Sequence, residues 1–125
     1  MWVAILRQKH PEVAARYGAT DRADIRTCSV VVAELRYGCE KSGKPVANRA
    51  IVDALLAPVM SLSFDASVDH FVSIRCHLES LGQAIGPYDM QIAAIALSHG
   101  CTLVTHNTGE FSRVPGLTLE DWQIP

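Results

Sequence analysis

The chain has 125 residues, enough for one domain that buries roughly two-thirds of its unfolded surface. With 49% hydrophobic and 19% charged residues and no low-complexity run, the composition excludes a disordered segment, and a net charge of −2 excludes bulk positive charge as a grip on nucleic acid. The longest apolar stretches, such as residues 30–33, fall far short of the ~20 a membrane helix needs, so no membrane partner is expected.

A single domain over 1–125 is expected, without linker or repeat. The first residues carry neither a basic leader nor a small-residue cleavage site, which makes a cytoplasmic location the expectation. Residues 3–8 and 11–17 read as two short helices, the second opened by Pro11 and stopped by Gly18. Residues 24–29 alternate polar and apolar side chains as a strand does, and Ser29 is placed to cap a helix over 30–40 with Val31, Val32, Leu35 and Cys39 at helical spacing. Ser42-Gly43-Lys44-Pro45 breaks that pattern. A helix over 46–56 and a short strand over 59–64 follow. Asp65 and Ser67 offer N-caps for a helix that runs to Leu81 and stops at Gly82. Gly86-Pro87-Tyr88-Asp89 opens the next helix, which ends at Gly100. Residues 102–105 form a strand with an abrupt polar finish at His106-Asn107-Thr108, and a last strand is expected over 117–119. Strands alternating with helices imply an α/β fold with a mostly parallel sheet flanked by helices, whose reactive groups gather at the carboxyl ends of the strands.

Glu34 follows the strand ending near Ser29 by about one helical turn, toward that edge of the sheet. Its i±3 and i±4 neighbours Val30, Val31, Tyr37 and Gly38 offer no basic partner; an ordinary solvated Glu is the competing reading. Asp89, third in its helix, favours the helix dipole by ~0.3–1 kcal/mol, so a structural role alone would account for it. Asn107 and Glu110 follow the strand 102–105 and emerge at the same edge, although Asn in a loop is also ordinary turn chemistry. Converging acids without a Cys or His cage suit a hard cation, Mg²⁺ or Mn²⁺, held chiefly by Glu34 and Asp89. Such an ion activates water for attack on a phosphodiester. His70 and His77 lack further zinc ligands. Cys28, Cys39, Cys76 and Cys101 stand singly among apolar residues, as reduced packing thiols do. Lys41, Lys44 and Arg49, with Arg7, Lys9 and Arg36, are the cations available for local contacts; each taken singly reads as solvated surface.

The stretches Cys28 to Gly38 (CSVVVAELRYG), Gly86-Pro87-Tyr88-Asp89 with Ile92-Ala93-Ala94, Leu103 to Phe111 (LVTHNTGEF), Val114 to Leu117 and Glu120-Asp121-Trp122 resemble the PIN-domain toxins of VapC type. Several ordered motifs at compatible spacing make the signal specific. The resemblance implies a PIN-like three-layer domain. It also implies an endoribonuclease of a bacterial toxin–antitoxin pair with Mg²⁺ or Mn²⁺ in an acidic cluster. Glu34 and Asp89 match two of the family's acids; Asn107 and Glu110 fall in its last motif, where members vary. Arg36 and His106 are RNA-contact candidates. RNA, with tRNA among the substrates the family cuts, an antitoxin and a second copy of the chain are the implied partners.

The sequence departs from the family at its start. Members open with an apolar strand ending in Asp-Thr-Asn or similar, followed by a helix resembling Trp2 to Arg7. The expectation is therefore a fold with its first central strand absent, short of sheet pairing and of one ligand. A start codon placed too late and a degenerate gene copy both account for this. The alternative function is a catalytically inactive truncated paralogue that binds an antitoxin. A phosphatase on a similar sheet is the weaker reading, since no nucleophilic Asp follows a strand here.

Overall fold

The structure, a computed structural model, describes residues 1–7 and 10–123. Helices α1 (Trp2–Arg7) and α2 (Pro11–Ala19) lead into strand β1 (Arg26–Cys28), helices α3 (Ser29–Glu40) and α4 (Pro45–Leu56), and strand β2 (Met60–Leu62). Then come α5 (Val68–Ser80), α6 (Pro87–Ser98), strand β3 (Leu103–Val104), the single turn α7 (Thr108–Phe111) and strand β4 (Leu119–Glu120). The expected end of the first helix at Gln8, and Lys9, lie outside the described residues.

Proline and glycine set most of these boundaries. Pro11, Pro45 and Pro87 occupy first-turn positions of α2, α4 and α6, where the missing N–H costs nothing. Gly82 and Gly100, both at φ +64°, close α5 and α6. Beyond them the Gln83 N–H reaches back to the Leu78 carbonyl and the Cys101 N–H to that of Ala96, so carbonyls of the last turns are satisfied by the left-handed cap.

The two serines expected as caps act otherwise. Ser29 is the first residue of α3 rather than its cap, because β1 runs straight into the helix at Cys28. Ser67 precedes α5 but makes no cap bond; its hydroxyl is committed to Ser98 Oγ at 2.6 Å, tying the start of α5 to the end of α6. The strands are shorter than their sequence patterns. Residues 22–24 form a 3-10 turn ahead of β1, and the last strand begins at Leu119, since the Leu117 N–H bonds the Val114 carbonyl and Gly116 turns the chain at φ +79°.

The expected single sheet is present as two parallel pairs. β1 lies beside β2 with Arg26 opposite Met60 and Cys28 opposite Leu62, and β3 lies beside β4 with Leu103 opposite Leu119. Among the described residues no strand joins the pairs. The core divides correspondingly. One cluster gathers Ile74, Leu78, Met90, Ala93 and Phe111 from α5, α6 and α7; the other gathers Trp2, Val13, Tyr17, Ile25, Val59 and Trp122. Strand β3 is the seam: Leu103 packs on the first and Val104 on the second, as alternate residues of a strand must. Of the cysteines expected to pack, Cys28 and Cys39 are buried, whereas Cys76 is exposed and Cys101 half-buried. Among the described residues no helix is long and apolar enough to cross a membrane.

Candidate active site

Helix α3 carries Glu34 and α6 carries Asp89, and these two helices pack on each other. Asp89 is third in α6 after Gly86 and Pro87, and its Oδ2 leans back over the first turn, 3.8 Å from where a β-carbon on residue 86 would lie. Beyond β3, Asn107 stands at the N-cap position of α7 without making a cap bond, and Glu110 lies within that turn. Glu34, Asp89 and Asn107 all line one large cleft, which also runs between β1 and β3.

The carboxylates feel one another. Burial pushes the Glu34 carboxyl above its ordinary pKa and the charge of Asp89 adds to the rise. Asp89 is raised in the same way, first by burial and then by the charge of Glu110. Like charges sharing a site disfavour ionisation, so Glu34, Asp89 and Glu110 form one electrostatic unit. Among the described residues none of them makes an ion pair. The acids of an ordinary solvated face are paired differently, as Glu79 is with Arg75 and Glu120 with Arg16.

Oxygen donors of one sign, unrelieved by a cation, form a donor set that fits a hard divalent ion. Among the described residues, however, no three His, Cys, Asp or Glu side chains stand together as a ready cage. Mg²⁺ does not require one, since it is ordinarily bound through one or two carboxylates and keeps several waters. Asp89 and Glu34 can supply those carboxylates.

The two RNA-contact candidates lie in different surroundings. Arg36, two residues beyond Glu34 and on another face of α3, turns to α4, where its guanidinium is 3.8 Å from Asp53. It lines a shallow depression with Asp53 and Ser61 rather than the acid-lined cleft. His106 is exposed, and its Nδ1 shares a 3.0 Å hydrogen bond with Asp121 Oδ2. Asp121 is held below the ordinary carboxylate range by the Gln123 N–H first and by His106 second. Asp121 was not singled out by composition or spacing, because its partner lies fifteen residues away across β4.

Paired parallel strands that deliver carboxylates from α3, α6 and α7 to one edge define an α/β domain with an acidic cleft, a form suited to metal-assisted chemistry. Comparison with known proteins makes the assignment specific. The PIN domain model matches residues 1–117, and the chain belongs to the PIN domain family, in its VapC type. It is 43% identical over 95 residues, 75% of the chain and 72% of the relative, to the tRNA(fMet)-specific endonuclease VapC of Shigella flexneri. It is 34% identical to ribonuclease VapC2 of Haemophilus influenzae, covering 96% of the chain and 91% of that protein. Among solved structures, the DNA-bound VapBC complex from Salmonella typhimurium superposes with a TM-score of 0.90 at 34% identity, covering 96% of this chain and 91% of that one.

Proposed function

We propose that the chain is a metal-dependent endoribonuclease, the toxin of a toxin–antitoxin pair, folded as one cytoplasmic domain over residues 1–125. The observation that carries this reading is the run of Glu34, Asp89 and Glu110, in which the charge of Asp89 adds to the rise of Glu34 and that of Glu110 to the rise of Asp89, none of them in an ion pair among the described residues. The relatives bearing the same ordered motifs are named ribonucleases, and one of them is named for a tRNA. RNA is accordingly the substrate proposed, with tRNA the first to try.

Asp89 and Glu34 would hold Mg²⁺ or Mn²⁺, with Glu110 adding charge behind Asp89 and Asn107 offering a neutral amide at the rim of the cleft. When bound, such an ion lowers the pKa of a coordinated water and polarises a phosphodiester. The protein's own part is to fix the acids on two packed helices, so that they need no rearrangement to meet the cation. His106, oriented through Nδ1 by Asp121, leaves Nε2 free toward RNA, and Arg36 offers a second contact. The central strand and acid that the resemblance places ahead of residue 1 would complete the ligand set. The solved relatives include complexes with VapB-type antitoxins, which makes an antitoxin the protein partner, and a homodimer the expected assembly.

The test uses this chain and a version lengthened by the in-frame codons upstream, each assayed on RNA with Mg²⁺ and with EDTA. Cleavage that EDTA abolishes, and that falls at least about a hundredfold in Glu34→Ala and in Asp89→Ala, is expected. Equal cleavage by the lengthened protein after both substitutions overturns the reading. The absence of a ready three-ligand cage among the described residues favours one second reading, an inactive antitoxin-binding module. Antitoxin binding by a lengthened protein that never cuts RNA would establish it.

A further inference from the structure

Every tryptophan and phenylalanine of the chain sits in or against one of the two core clusters, and so does Tyr17. The other two tyrosines stay outside. Tyr37 is 63% exposed and Tyr88 62%, and each stands beside one of the acids of the candidate site. Tyr37 follows Glu34 by three residues on α3, a spacing that puts both side chains on one face with their β-carbons roughly 5–6 Å apart. Tyr88 directly precedes Asp89 in the first turn of α6. Because α3 packs against α6, the two rings border the same pair of acids.

Two further features of α3 favour a nucleotide as the occupant of this face. Gly38 is helical, one turn beyond Glu34, where glycine is less favourable than alanine. Its φ is not positive, and nothing lies within 4 Å of where a β-carbon would stand, so neither backbone conformation nor internal packing calls for glycine there. What it leaves is a bare strip of helix beside Tyr37. At the far end of the strip, the Lys41 ammonium lies 5.9 Å from the Tyr37 ring centroid and makes no ion pair among the described residues. An apolar protein surface would use the ring and strand the ammonium. A nucleotide uses all three, with its base on the ring, its edge over the bare strip and its phosphate at Lys41.

We propose that Tyr37 and Tyr88 are stacking subsites for unpaired nucleobases of the RNA, one ring on α3 and one on α6, flanking the phosphodiester held at Glu34 and Asp89, with Lys41 meeting the phosphate of the nucleotide on Tyr37. Resting on the ribonuclease reading, the subsites add a selection that the acids cannot make. Stacking on a side-chain ring tolerates any base but requires that base to be free of its own helix, so a fully paired duplex is rejected.

The probe is an end-labelled single-stranded RNA of about eight nucleotides, titrated into this chain and into the lengthened protein with Ca²⁺ in place of Mg²⁺ and followed by fluorescence anisotropy. Tyr37→Ala and Tyr88→Ala are each expected to weaken binding at least about fivefold, and Tyr37→Phe and Tyr88→Phe to keep it within about twofold, because stacking needs the ring and not the hydroxyl. An RNA made abasic at the stacked position is expected to bind the parent as weakly as the alanine variant binds intact RNA, and to lose nothing more from that substitution. Gly38→Gln is expected to melt higher than the parent yet bind RNA more weakly, a pairing of effects that a purely structural glycine does not give. Equal losses on intact and abasic RNA, phenylalanine variants as weak as the alanine ones, or alanine variants that bind like the parent overturn the proposal. If EDTA-sensitive cleavage persists beside any of these results, the ribonuclease reading stands and the subsites alone fall. A change in sedimentation on Tyr37→Ala with RNA affinity unchanged also overturns it, because the ring then belongs to a contact between copies of the chain. So does the absence of RNA binding by both proteins when circular dichroism shows them folded.

Discussion

Glu34 is a residue whose charge is held at a cost. Its carboxyl is raised by burial and then by Asp89, and Asp89 is raised by burial and then by Glu110. A carboxyl whose folded pKa exceeds its unfolded one binds its proton more tightly in the native state. Its penalty is absent below the ordinary carboxylate range, sets in as pH rises through the folded value, and is complete at neutrality. Glu34→Gln is therefore expected to raise the melting temperature at pH 7, by an amount equivalent to no more than about 1 kcal/mol for so exposed a group. The gain should disappear below about pH 4, where both forms of the protein are neutral at this position. A melting series from pH 3 to 8 measures it; a variant less stable than the parent at pH 7 would show that Glu34 makes a favourable contact instead. In the parent alone, millimolar Mg²⁺ should give a comparable rise, since an ion that binds only the folded acids stabilises by mass action. Asp121 runs the other way. Held low by Gln123 and His106, it contributes stability above the ordinary carboxylate range that is lost as pH falls.

Helices α5 and α6 are joined by more than apolar contact. Ser67 is fully buried and its hydroxyl meets that of Ser98, which also donates to the Ile95 carbonyl. Ser67→Ala removes one hydrogen bond at the start of α5 while Ser98 keeps a partner, so a loss of about 1 kcal/mol is expected in denaturant unfolding. A loss beyond about 3 kcal/mol would mean that the hydroxyl pair fixes the helix crossing rather than decorating it. This bond also marks where sequence reading stops. The helices were legible from Pro11, Pro87, Gly82 and Gly100 because those residues act on their own turn of chain. Ser67 looked like a cap because its true partner is 31 residues away. The helical turn over Thr108–Phe111 has no signal in the sequence, because Asn107 and Thr108 are turn formers and four residues carry no periodicity. The placement of Glu34 and Asp89 was legible, since strand-to-helix order fixes which ends of the elements meet. Arg36 shows the limit on the same helix: its position in the motif was plain, but its pairing with Asp53 of α4 depends on how two helices cross.

At the scale of the whole molecule, the divided sheet should divide the stability. In a continuous parallel sheet the central strands couple the two halves of a domain through backbone bonds; here β1–β2 and β3–β4 are separate, and α3 against α6 is a main bridge between the clusters. The chain offers a built-in reporter for one side only. Both tryptophans, Trp2 and Trp122, sit in the cluster with Val13 and Tyr17, and none lies in the cluster of Ile74, Leu78 and Met90. Two members of that tryptophan-bearing cluster, Tyr17 and Trp122, carry buried polar atoms, Oη and Nε1, without a partner among the described residues, and each such atom lowers the cluster's stability. The other cluster rests on α5 and α6, whose buried faces are continuous from Ile74 to Leu78 and from Met90 to Ala96. Urea unfolding followed by tryptophan fluorescence is therefore expected to reach its midpoint at lower denaturant than unfolding followed by far-ultraviolet circular dichroism, which reports the helices of both clusters. Coincident midpoints would show that the α3–α6 packing alone suffices for cooperative folding.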